Sequence, residues 1–89
     1  MFNVRYNNLT LIPSNAAINE LLKHGLMLSD CKEILEHGYS APRKRKRGIE
    51  EKWLDKGNKT YNVVIARSFN FWYNEHVWLI IHVGRFSRK

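Results

Sequence analysis

The sequence predicts an α+β fold, in which a helical hairpin packs on one face of an antiparallel sheet in the order (β)-α-α-β-β-β. Three observations lead there. Apolar residues recur at helical spacing between positions 14 and 37, and at alternating spacing from position 49 onward. Gly25 and Gly38 fall where helices end, and Gly57 sits in a turn between two alternating runs. At 89 residues, with neither a linker nor an internal repeat, residues 1–89 are expected to form one small domain around a single core.

The elements follow in order. Phe2, Val4 and Tyr6 alternate with Asn3 and Arg5, a short strand expected at an edge of the sheet, and Asn7-Asn8 reads as a turn. Pro13-Ser14 suits a helix start, and Ala17, Ile18, Leu21 and Leu22 give residues 14–24 one apolar stripe, closed by Gly25. Ser29 or Asp30 caps a second helix over residues 29–37, which carries Cys31, Ile34 and Leu35 and stops at Gly38. His24 and His37 each precede a closing glycine. An imidazole in a last helical turn interacts favourably with the helix dipole, so both are read as caps rather than catalysts.

After Pro42 the period becomes that of strands. Residues 49–54 form a strand, 55–58 a hairpin turn and 59–68 a second strand; residues 70–75 make a wider connection to a third strand over 76–86. The second hairpin predicts a register with Arg67 opposite Val77, Ile65 opposite Leu79, Val63 opposite Ile81 and Tyr61 opposite Val83. That nearly apolar face is the one the helices should cover. The other face then carries Ser68 by His76, Ala66 by Trp78, Val64 by Ile80 and Asn62 by His82, leaving two histidines and a tryptophan uncovered. In the first hairpin, Ile49, Glu51 and Trp53 compete with Glu50, Lys52 and Leu54 for the inner face, and the sequence leaves both registers open.

Charge gives the first indication of function. Fifteen Lys and Arg against eight Asp and Glu leave a net charge of +7, and five of the cations are consecutive: Arg43, Lys44, Arg45, Lys46 and Arg47. Such a block is the electrostatic footprint of a polyanion binder, so these five residues are the expected nucleic-acid or ribosome contact, an acidic protein being the alternative. A single cysteine, Cys31, excludes an internal disulfide, and no Cys/His spacing suggests zinc. No metal and no organic cofactor is expected. The start lacks a secretion signal, and the longest apolar run, residues 77–81, is too short to span a bilayer. The expectation is a cytoplasmic protein without a membrane partner.

No Ser/His/Asp set, phosphate-cradling glycine loop or HExxH motif is present. The adjacent carboxylates Glu50 and Glu51 point to opposite faces of a strand and make a poor acid/base pair. What remains fits metal-independent phosphodiester cleavage through a 2′-hydroxyl, which needs a base, an acid and cations around the phosphate. His76 or His82 would serve as base or acid, and Arg67, Arg85 and Lys52 would stabilise charge. Phe69, Phe71, Trp72 and Tyr73 crowd the turn between the last two strands. They would roof the core, dock a protein partner, or stack unpaired bases.

The order of elements, with Leu21-Leu22-Lys23-His24-Gly25-Leu26, Cys31-Lys32-Glu33-Ile34-Leu35-Glu36-His37-Gly38 and the strand runs over residues 57–66 and 77–83, resembles the RelE/ParE-type bacterial and archaeal toxin superfamily and its small relatives. The resemblance spans nearly the whole chain as a pattern of elements. It implies an endoribonuclease acting on mRNA, free or at the ribosome, and a small acidic antitoxin that wraps it. No individual catalytic position of the family is carried onto this chain. The alternatives are a non-catalytic nucleic-acid-binding module and an interaction module that docks a partner through residues 69–73.

Overall fold

The computed structural model describes residues 3–43 and 45–87; the expectations placed on Phe2 and Lys44 lie outside them. The elements are β1 (Arg5–Tyr6), β2 (Leu9–Pro13), α1 (Asn15–His24), α2 (Leu28–His37), β3 (Tyr39–Ser40), β4 (Ile49–Lys56), β5 (Lys59–Asn70) and β6 (Glu75–Ser87). The fold is α+β, as expected, but the sheet is not purely antiparallel. Its six strands run in the order β1-β2-β6-β5-β4-β3, and β2 pairs with β6 in parallel through Thr10–Val77, Leu11–Trp78, Ile12–Leu79 and Pro13–Ile80. The sequence reading missed β2 and the two-residue β3.

Local chemistry sets the joints. Asn7 and Asn8 both take left-handed φ angles, 49° and 67°, which closes the two-residue turn between β1 and β2; asparagine tolerates that region well. Ser14 caps α1: its Oγ accepts from the Ala17 N–H at 3.1 Å, while its own N–H donates to the Ile80 carbonyl at 2.9 Å and ties the helix start to β6. Gly25 ends α1 in the left-handed region, and the Leu26 N–H returns to the Leu21 carbonyl at 2.9 Å. At α2 the cap differs from expectation. Met27, not Ser29, precedes the helix, and Asp30 accepts from the Met27 N–H at 2.7 Å from within the first turn.

The core joins Ala17 and Leu21 of α1 and Cys31, Ile34 and Leu35 of α2 to Leu11, Val63, Ile65, Trp78, Ile80 and Val83 of the sheet. Burial pushes the Cys31 thiol up to about 12, so it packs as a small apolar group. One irregularity in β6 makes this core continuous. Ile65 pairs with Ile80 and Val64 with His82, so Ile81 is an extra, bulged residue. Trp78 and Ile80 before the bulge and Val83 after it therefore share the face of Val63 and Ile65. The observed register is one residue from the expected one before the bulge and two residues from it after. Trp78, expected on the uncovered face, is buried at 5% exposure.

Gly38 ends α2 where the helix abuts β4. Its φ is an ordinary −78°, but a Cβ there would overlap the carbonyls of Ile34 and Trp53. Gly38→Ala is expected to destabilise the fold by about 2–3 kcal/mol. Gly25→Ala, with open space around it, should cost about 1 kcal/mol through its backbone angle alone. Chemical denaturation of the two variants checks this, and an equal loss in both contradicts the packing argument.

Candidate functional site

The basic stretch does not hang free. Glu51 and Trp53 on β4 share a sheet face with Asn62 and Val64 on β5, away from the core cluster. Four side chains converge on the Glu51 carboxylate. Arg43 donates through Nε and Nη2, both at 3.1 Å, Arg45 through Nε at 2.9 Å, Trp53 through Nε1 at 2.8 Å and Asn62 through Nδ2 at 3.1 Å. The Glu51 side chain is 1% exposed. Burial alone would raise its titration, but hydrogen bonds from Arg43, Trp53, Arg45 and Asn62 outweigh it and hold the carboxyl down at about 2. The loop after β3 is thereby fastened to the sheet.

Arg43 also lines a second feature, an open groove of about 370 Å³ bounded by Glu20, Lys23 and His24 of α1, Asn62 of β5, and His82, Gly84 and Arg85 of β6. β2 stops at Pro13, opposite Ile80, so β6 beyond the bulge has no strand on that side. Glu20 occupies the edge instead. Its Oε1 accepts from the Val83 N–H at 2.7 Å and its Oε2 lies 2.9 Å from His82 Nδ1. Both oxygens are engaged, which fixes the imidazole and leaves Nε2 on the groove side. A Cβ on Gly84 would come within 3.0 Å of that Nε2 and overlap Asn62 Oδ1, so glycine is what lets these two side chains approach the strand.

His24 stands one helical turn beyond Glu20 on the same side of α1. Burial, then Arg85 and Lys23, lower its titration, and its Nδ1 is buried with no hydrogen-bond partner among the described residues. The groove thus collects two imidazoles, one of them oriented by a carboxylate, and three cationic side chains.

Of the expected site residues, His82, Arg85 and Arg43 come together here. His76 does not. It pairs with Phe69 on the core-side face, its ring edge-on to Phe69 at 5.2 Å, because the bulge puts the two β6 histidines on opposite faces. Arg67 lies over the buried Trp78 ring at 5.6 Å. Lys52 reaches Ser40 Oγ at 3.5 Å and lines a different depression with Arg45. Phe71 and Trp72, 86% and 94% exposed, do not roof the core. Sequence reasoning missed Lys23, Glu20, His24, Asn62 and Gly84. The four-residue spacing of Glu20 and His24 was the one visible signal.

No cluster of three or more His, Cys, Asp or Glu suited to a metal occurs among the described residues, and no helix there is long and apolar enough to cross a membrane. Compared with protein families, curated proteins and solved structures, the chain gives no match.

The Glu51 anchor has a pH signature. Its carboxyl titrates lower in the folded chain than in the unfolded one, so its contribution is complete above about 4.5 and is lost as pH falls toward about 2. On the order of 3 kcal/mol is involved. Tryptic cleavage after Arg43 and Arg45 should therefore be slow in the native protein at neutral pH and fast in Glu51→Gln. Equal cleavage rates contradict the anchor.

Proposed function

We propose that this protein binds RNA in the groove between α1 and the end of β6 and cleaves it there by 2′-hydroxyl transesterification. The observation that carries the reading is the Glu20–His82 pair facing Arg43, Arg85 and Lys23. In the tautomer whose Nδ1–H donates to Glu20, the Nε2 lone pair of His82 faces the groove, as a general base requires. It accepts the 2′-hydroxyl proton, the oxygen attacks the adjacent phosphorus, and the bond to the 5′-oxygen breaks, with water protonating the leaving oxygen. The products are a 2′,3′-cyclic phosphate and a 5′-hydroxyl end. Arg43, Arg85 and Lys23 offset the charge that builds on the phosphoryl oxygens.

The proposal extends to a RelE/ParE-like relationship, which the order of elements suggests. In that setting the helical hairpin covers a single sheet face, and an acidic antitoxin would compete for the same cations. Non-catalytic RNA binding is the second reading, favoured by the surplus positive charge.

His82→Ala is expected to lower cleavage of single-stranded RNA by about 10²–10⁴-fold while binding persists. Arg85→Gln should weaken binding and make the log–log salt slope shallower by about 0.7 for the lost phosphate contact. Mapping new 5′ ends and titrating binding at several salt concentrations test both. Undiminished cleavage by His82→Ala overturns the assigned base, and intact RNA recovered from the unaltered protein leaves the binding reading alone.

A further inference from the structure

The groove leaves the far end of the β5–β6 ribbon without a role. That end is a four-residue turn, Phe71-Trp72-Tyr73-Asn74, braced by the Tyr73 N–H donating to Asn70 Oδ1 at 3.0 Å and by a left-handed Asn74 with φ 54°. The brace holds the turn in shape while Phe71 and Trp72 stay almost fully in solvent. Phe69 supports Phe71 from beneath, ring centres 5.1 Å apart. Two large rings displayed on a fixed turn form a stacking platform.

The basic loop leads to this platform. It begins with Arg43 in the groove, is pinned through Arg43 and Arg45 to Glu51, and ends at Gly48, whose carbonyl accepts from the Arg67 N–H at 2.8 Å. Ile49 then pairs with Ala66, so the loop ends four residues, roughly 13 Å at 3.3 Å per residue, short of the Asn70–Glu75 pair at the base of the aromatic turn. Lys46 and Arg47 are exposed, and Arg67 stands on β5 in the interval. From Asn62 at the groove to Asn70 at the turn, β5 spans roughly 25 Å at 3.3 Å per residue.

We infer that groove, basic loop and aromatic turn form one continuous track for single-stranded RNA, with phosphates following the loop and unpaired bases stacking on Phe71 and Trp72. The inference rests on the groove reading, since it takes RNA as the ligand there. An apolar pocket of a protein would cover the rings but leave Lys46, Arg47 and Arg67 without counter-charge. Single-stranded nucleic acid meets both needs, because each nucleotide brings a flat π-face and a phosphate.

Single-stranded, labelled oligonucleotides of roughly 4 and 12 nucleotides, 2′-O-methylated so that they are not cut, separate the parts of the track. By anisotropy at fixed salt, the longer one should bind the unaltered protein more tightly. Trp72→Ala, and Phe71→Ala with Trp72→Ala, should weaken the longer one about tenfold or more and leave the shorter one unchanged. Arg85→Gln should weaken both. A thermal melt confirms that the turn variants stay folded. If the turn variants bind the longer oligonucleotide as well as the unaltered protein does, the track is overturned and the turn is left to a protein partner. If the unaltered protein binds neither length, the groove reading falls with it.

Discussion

One extra residue in β6 decides what each face of the sheet carries. Plain alternation would point Ile80 and Val83 to opposite faces. With Ile81 bulged out, the Ile65–Ile80 and Val63–Val83 pairs face the same way, and the apolar core runs unbroken from Trp78 to Val83. The same displacement turns His82 and Gly84 to the other side. Since β2 stops at Ile80, the strand beyond the bulge offers its edge to α1, and Glu20 takes both the Val83 N–H and the His82 imidazole. Packing and site geometry therefore have one cause, and a change that removed the bulge would disturb both.

Glu51 plays the matching part on the other side of the groove. A buried carboxylate is costly unless its lone pairs are met, and here four side chains meet them. Two of those come from a loop whose composition would otherwise favour a solvated, wandering segment. The anchor places Arg43 where it serves both the carboxylate and the groove. It also sets the path of the loop toward β5, which it meets at Arg67 and Ala66. Removing one arginine would leave the other, whereas removing Glu51 frees both.

Much of the fold was legible because the period changes from helix to strand after Pro42, and because Gly25, Gly38 and Gly57 mark the ends of elements. β2 was not, since Leu9-Thr10-Leu11-Ile12-Pro13 is largely buried on both faces and too short to show a sustained alternation, while its parallel partner β6 lies more than sixty residues away. The bulge was illegible for another reason: in Leu79-Ile80-Ile81-His82-Val83 nothing marks which isoleucine is extra. That ambiguity explains why His82 was placed on the right face and His76 and Trp78 on the wrong one. A register error of two residues after the bulge preserves the face, and an error of one before it reverses the face. The groove was half visible. His82, Arg85 and Arg43 were candidates on chemistry alone, but Glu20 and His24 read as ordinary helix positions until β6 is laid beside them.

Charge balance shows what the groove presents. Lys23, Arg43, Arg45 and Arg85 surround two carboxylates, Glu20 and Glu51, so the region keeps a positive excess. Neither carboxylate is free to face a ligand. Glu51 is enclosed by its donors, and Glu20 spends its oxygens on a strand N–H and an imidazole. The acids serve to position the bases around them, and the groove keeps a cationic excess. Because it is open, that field is screened within roughly 8 Å at physiological salt. It therefore acts on groups already at the surface. For the RNA binding proposed above, affinity would come from several phosphates engaged together, which favours a chain of nucleotides over a single one.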